Sequence, residues 1–245
     1  MKDKVITYLQ QQKELFGPLL YVEPPTVDNH VLNHEEPLHI QAETMSLSIN
    51  PNWHQAESLP ILYQYIHNCQ ECSLGSTRNS FVFGVGNPQA DILIIGEAPG
   101  ADEDAKGEPF VGAAGQLLTK ILEAIGFTRE EVYIANIIKC RPPNNRRPEK
   151  TEIHSCEPYL QKQIELIKPA FILALGLTAV NTLLKNDHKM QDIRGKILNY
   201  HGVNMIATYH PAALLRNPNW KKPAWDDVQM LKNMYEDWKK NNPII

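Results

Sequence analysis

The chain has 245 residues, 42% hydrophobic and 21% charged, enough for one sizeable core and ordinary for a globular protein. Its formal net charge of −4 excludes a uniformly basic nucleic-acid binder, and the charge is uneven: residues 1–50 hold three lysines against seven acids, while the remaining 21 basic and 21 acidic groups balance. No apolar run approaches the roughly 18 residues of a membrane span, and "MKDKVITYLQQQ" lacks a secretory apolar region, so the expectation is a cytoplasmic protein without membrane association.

Residues 4–16 place Val5, Tyr8, Leu9, Gln12 and Leu15/Phe16 at helical spacing, predicting a short amphipathic helix that ends at Gly17-Pro18. Residues 18–55, rich in Pro, Glu, His and Asn with no sustained period, read as a flexible linker. From about residue 56 the pattern becomes regular. "LPILYQYIHNC" predicts a helix delivering Cys69; "FVFGVG" and "DILIIG" predict strands. A helix over 113–125 is stopped by Gly126, "VYIANII" reads as a strand, and a helix over 158–167 is opened by Pro158. "AFILALG" and "VNMIATYHP" are further strands, with helices over 177–184 and 225–240. Apolar strands alternating with helices imply an α/β fold with a parallel sheet covered on both faces. In such sheets ligands bind beyond the carboxyl ends of the strands. The loops after Ile95, Ile138, Leu175 and Tyr209 are therefore the places to search.

The first loop, "GEAPGADEDAKGEPF", is a poor phosphate cradle: it lacks the P-loop pattern, and its acids Glu97, Asp102, Glu103, Asp104 and Glu108 would repel phosphate. A divalent-metal site or a solvated acidic loop remains open for it. The second loop carries Lys139, Arg141, Arg146, Arg147 and Lys150 against one acid, a patch suited to a phosphodiester backbone. Asn136 precedes it inside a strand, either as a satisfied core amide or as a base reader. After the last strand, His210 is followed by Leu214, Leu215, Arg216, Lys221 and Lys222, an apolar wedge beside cations. The four cysteines are Cys69, Cys72, Cys140 and Cys156; a C-x2-C pair with two distant partners reads as a four-thiolate site for zinc or an iron–sulfur cluster.

"GEAPG", "F-V-G" on the same loop, "N-x3-C-R-P-P-x-N-R" and "H-P-A-A-L-L-R", with C-x2-C ahead and Cys156 behind, resemble a family 4 uracil-DNA glycosylase, the iron–sulfur type, over about residues 60–240. The resemblance implies a three-layer sandwich with a four-stranded, mostly parallel central sheet flanked by helices, occupying 56–245. It implies a structural [4Fe-4S] cluster on Cys69, Cys72, Cys140 and Cys156, zinc being the less favoured occupant. A relative that bonds covalently to uracil uses a histidine in an inserted loop after the third motif; "RPPNNRRPEK" has none, which argues against that variant here.

The function implied by the resemblance is hydrolysis of the N-glycosidic bond of uracil in DNA, leaving an abasic site, and the chain is expected to be a monomer. A non-catalytic DNA-binding or adaptor module on the same fold is the alternative. The expected roles are catalysis by Glu97 and His210, stacking by Phe110, bordering of the base by Ala98, pairing by Asn136 and exclusion of the thymine methyl by Glu103. Arg141, Arg146, Arg147 and Arg216 are expected to clamp phosphates, and Leu214 or Leu215 to fill the hole left by a flipped base. "QKELF", Gln12 to Phe16, resembles the short peptide that docks on bacterial sliding clamps, a candidate partner; an ordinary amphipathic helix is the favoured reading of it.

Overall fold

The computed structural model describes residues 52–242. The helix expected over 1–17, the clamp-like Gln12–Phe16 stretch and most of the expected 18–55 linker lie outside them. Trp53, assigned to that linker, starts a 3-10 turn (Trp53–Gln55) and packs edge-on against Tyr159 with ring centroids 4.9 Å apart.

The elements run in the order α1 (Leu59–Ile66), β1 (Val85–Gly86), β2 (Ile92–Gly96), α2 (Ala101–Lys106), α3 (Ala113–Ala124), β3 (Tyr133–Asn136), α4 (Lys150–Ile167), β4 (Phe171–Leu175), α5 (Leu177–Leu184), α6 (Met190–Ile193), β5 (Ile197–Tyr200), β6 (Val203–Thr208), α7 (Pro211–Arg216) and α8 (Lys221–Asn241). Among the described residues no helix is long and apolar enough to cross a membrane.

The sheet is six-stranded, in the order β1-β3-β2-β4-β6-β5. Its centre, β3-β2-β4-β6, is the expected parallel set, but antiparallel strands are added at both edges, so the four-strand expectation is corrected to six. Both additions carry weak sequence signals for a physical reason. In "FVFGVG", Gly84 and Gly86 take φ of +143° and +121°, and only Val85–Gly86 pairs with β3. Strand β5 alternates exposed residues with Leu198, half-buried, and Tyr200, buried, so it shows no apolar run; it returns into β6 through His201 and Gly202, both at positive φ (47° and 92°), the twist a two-residue hairpin turn requires.

The central strands bury both faces. Leu93 and Ile95 join Ala135, Ile172, Ala174, Met205 and Ala207 under α1, α4 and α5. Ile92 and Ile94 join Ile134, Leu173 and Ile206 under α3 and α8. Burial on both faces accounts for the continuous apolar strands and gives a three-layer sandwich. The chain leaves β2 towards β3 but leaves β4 towards β6, so the loops diverge at the carboxyl ends of β2 and β4, where such folds open a crevice.

Helix α4 corrects the reading that placed its start at Pro158. It begins at Lys150, where the Glu149 N–H donates to Glu152 Oε2 at 2.7 Å, and Pro158 sits inside it. Cys156 is thereby on a helix, facing the loop that carries Cys140.

Candidate active site

The acid-rich loop is largely a helix start. Asp102, Glu103 and Asp104 occupy the first turn of α2, where the unpaired N–H groups favour negative charge. Asp104 is buried and accepts from the Asn79 N–H (2.9 Å), Asn79 Nδ2 (2.8 Å) and the Ser80 N–H (3.2 Å). Glu103 accepts from Gly100 N–H at 3.0 Å with one carboxylate oxygen and from Val111 and Gly112 N–H at 2.8 and 2.9 Å with the other. One carboxylate thus buckles both ends of the loop that carries Phe110. Arg129 closes it further, donating to the Pro109 carbonyl at 2.9 Å.

This tethering holds Phe110 at φ 55°, a left-handed conformation unusual for a bulky residue, and buried to 6% exposure. Gly115 is required beneath it, since a Cβ there would collide with the Phe110 carbonyl. The Phe110 ring faces the His210 ring with centroids 5.5 Å apart and planes 29° apart.

His210 follows β6 and caps α7: its Nδ1 accepts the Ala212 N–H at 3.2 Å. That bond requires a lone pair on Nδ1, so the neutral ring carries its proton on Nε2. Burial pushes its pKa down to about 4, helped by the Arg216 charge and opposed by that of Glu103. Gly176, at φ +88° after β4, gives His210 room, its own Cβ position lying 3.1 Å from the His210 Cβ.

Asn136 ends β3, opposite Gly96 in register. It is 1% exposed, and its Oδ1 is buried without a hydrogen-bond partner among the described residues. Buried amide oxygens are rarely left so, and one at the carboxyl edge of a parallel sheet points to a ligand that supplies the donor. A Cβ on Gly96 would run into that oxygen and approach the Phe110 ring to 2.6 Å. Gly96, Phe110, Asn136 and His210 therefore come together, with Glu97 and Ala98 on the next two positions of the chain, Glu97 half-buried and Ala98 packed against the core.

The basic loop is less uniform than its sequence. Lys139 is fully buried and belongs to no surface patch; its ammonium donates to the Asn136 carbonyl at 2.9 Å and to Gln163 Oε1 at 2.5 Å. Burial lowers its pKa to about 8, against the pull of Cys156 and Cys140. Arg146 is engaged by the buried Glu152, at 2.6 and 2.9 Å, and holds that carboxyl below the usual range. Arg147 and Arg216 are exposed; Arg141 is half-buried and donates to Asn145 Oδ1 at 2.7 Å. Of the paired leucines on α7, Leu214 is 2% exposed and Leu215 47%.

Cys69, Cys72, Cys140 and Cys156 line one cavity with Arg78, Phe81 and Ser155, and none is in a disulfide. Sulfur is the acceptor throughout: Cys69 from the Glu71 N–H (3.4 Å) and Tyr159 Oη (3.3 Å), Cys140 from Arg78 (3.3 Å), Cys156 from the Lys139 N–H (3.3 Å). Donors converging on sulfur suit thiolates bound to a cationic centre. Burial pushes the bare Cys156 thiol up to about 12, so an occupant must displace its proton.

Sequence reasoning missed Gly96 and Arg129 and placed Lys139 in the basic patch although it is buried. Gly96 had a signal, a glycine where an apolar strand meets a polar loop; a buried lysine beside surface arginines has none.

A family model described as the uracil DNA glycosylase superfamily matches residues 83–232. A type-4 uracil-DNA glycosylase of Saccharolobus solfataricus is 45% identical over 185 residues, 72% of this chain and 86% of that protein. One of Thermotoga maritima is 42% identical over 181 residues, 72% of this chain and 94% of that protein. A type-5 uracil-DNA glycosylase of Pyrobaculum aerophilum is 31% identical over 146 residues, 53% and 64% of the two chains.

Proposed function

The chain belongs to the uracil-DNA glycosylase superfamily, and we propose that it is a monofunctional enzyme of the type-4 class, hydrolysing the bond between deoxyribose C1′ and uracil N1 in DNA and leaving an abasic site. The observation that carries the reading is the buried, unpartnered Asn136 Oδ1 beside the Phe110 ring.

A base inside a duplex must be flipped out to be reached. Uracil stacked on Phe110 offers N3–H to Asn136 Oδ1 and accepts at O4 from its Nδ2. Cytosine presents an acceptor at N3 and an amino group at C4, so both bonds are lost, and such loss in a buried site discriminates by on the order of 10⁴-fold. Ala98 borders the ring. Glu103 excludes the thymine methyl at C5 as a wall fixed by its three backbone bonds.

As the bond stretches, the sugar becomes cationic and uracil anionic. Glu97 orients the attacking water and stabilises the sugar; His210 donates from Nε2 to uracil O2 as charge grows there. Both interactions strengthen towards the transition state, which is what accelerates the step. Water's hydroxyl oxygen joins C1′, the bonding pair leaves with N1, and the water proton neutralises the uracil anion. A neutral histidine suits this role, since the ring keeps its single proton on Nε2 and can donate that hydrogen bond without carrying a charge of its own.

Arg141, Arg147 and Arg216 bind phosphates, and Leu215, the exposed member of its pair, fills the vacated stack. Arg146 serves the loop through Glu152. The thiolates of Cys69, Cys72, Cys140 and Cys156 fit a [4Fe-4S] cluster, which when bound supplies cross-linking rather than chemistry. It ties the basic loop to α1 and α4.

A uracil-containing oligonucleotide assayed for abasic product tests the function. Glu97→Ala and His210→Ala should bind DNA normally and excise at least about 10²-fold more slowly in single turnover; an unchanged rate in either rejects that residue's role.

A further inference from the structure

Beyond the pocket, the carboxyl end of β6 carries a second aromatic feature that the mechanism does not use. Trp220, at the end of a 3-10 turn (Pro218–Trp220) that comes after α7, folds back onto Tyr209, the residue before His210. The two rings are parallel within 17° at a centroid distance of 4.7 Å. Tyr209 is itself held: the Arg194 guanidinium lies over its ring at 5.8 Å, and Arg194 is fixed by the buried Asp227, which also accepts from Thr208 Oγ1 at 2.8 Å. Trp220 remains 39% exposed, and Leu215 at 47% and the exposed cations Arg216 and Lys221 lie close to it along the chain.

An exposed indole, braced from beneath and flanked by cations and an apolar wedge, has the chemistry of a base-stacking platform. We propose that Trp220 takes the base of a nucleotide adjacent to uracil on the same strand. The subsite is continuous with the Leu215 wedge and rests on the glycosylase reading. It reads no sequence, because every base offers a π face, and it holds the strand in register while uracil enters the pocket. The uracil strand is favoured over its complement because Trp220 and the pocket's His210 flank the same short helix, α7, whose last residue, Arg216, is exposed to reach that strand's phosphate.

The test uses the full chain with Trp220→Leu, which keeps an apolar cover on Tyr209, and Trp220→Phe, which keeps an aromatic face. The probe is a single-stranded oligonucleotide bearing a tetrahydrofuran abasic analogue, with binding measured at fixed salt. Trp220→Leu should weaken binding about tenfold, Trp220→Phe should largely restore it, and the deficit should vanish when the nucleotides on one side of the analogue are removed. Equal affinity of Trp220→Leu and the parent, or a deficit seen only with duplex, overturns the proposal. Excision of uracil by the parent chain is measured in parallel: its absence would reject the glycosylase reading, whereas its presence with no Trp220 effect rejects the platform alone.

Discussion

Gly96 and Asn136 are partners in register across β2 and β3, and a side chain on Gly96 would fill the space against the Asn136 amide oxygen and the Phe110 ring. Gly96→Ala should therefore act as a plug. Excision should fall at least about 100-fold, with at most the roughly 1–3 kcal/mol destabilisation usual for overpacking. Single-turnover kinetics beside a urea titration separates the two; full activity with the methyl in place would show that the base sits elsewhere.

Asn136→Asp replaces the donor to O4 with a second acceptor while keeping the shape. The uracil rate should fall, and preference for uracil over cytosine should drop from on the order of 10⁴ by at least tenfold. Paired oligonucleotides differing in that base measure it. Undiminished selectivity counts against Asn136 as the reader.

The His210 ring titrates near 4 when folded, against about 6.5 for an exposed histidine. Between those values the unfolded chain binds a proton that the folded chain refuses, so the stability contribution is complete above about pH 6.5 and is lost as pH falls towards 4. Protonating Nδ1 also ends its acceptance of the Ala212 N–H. Melting temperature should decline less over this window in His210→Asn than in the parent; parallel declines would place the proton uptake on another group.

Arg146 and Arg147 are neighbours with separate duties. Arg147→Ala should reduce the slope of log affinity against log salt by about 1 and leave melting unchanged. Arg146→Ala should lower the melting temperature by stranding the buried Glu152, with the salt slope intact. Reversed outcomes would put the phosphate contact on Arg146.

Cys140→Ser removes one of four sulfurs from the lined cavity. The parent purified without oxygen should be brown and contain iron and sulfide; the variant should lose colour and melt at lower temperature. A colourless parent containing zinc would replace the cluster assignment.

The central sheet was legible because buried parallel strands write themselves as unbroken apolar runs, as Ile92–Ile95 and Phe171–Leu175 do. Strand β5 was not, since half its residues face outward and its pairing depends on the positive φ of His201 and Gly202. Glu97, Asn136 and His210 stood out as polar residues at strand ends, and Phe110 through the F-V-G motif that the resemblance singles out. Division of labour among the charges did not, because it is decided in three dimensions. Asp104 and Glu152 are anchors, Lys139 is a buried strut and Arg146 is a partner to a carboxylate, yet each looks in sequence like its solvated neighbours.

The triple grip of Glu103 has a consequence for substrate range. A wall fastened at Gly100, Val111 and Gly112 by one side chain cannot yield at one point while staying firm at another. In the proposed reading the pocket then acts as a fixed gauge: a base passes or is turned away by its outline, without adjustment of the aperture. Acceptance of a bulkier lesion must then come from replacing a residue of the gauge, and the replacement that frees the wall also releases the aromatic plate on which the base is measured.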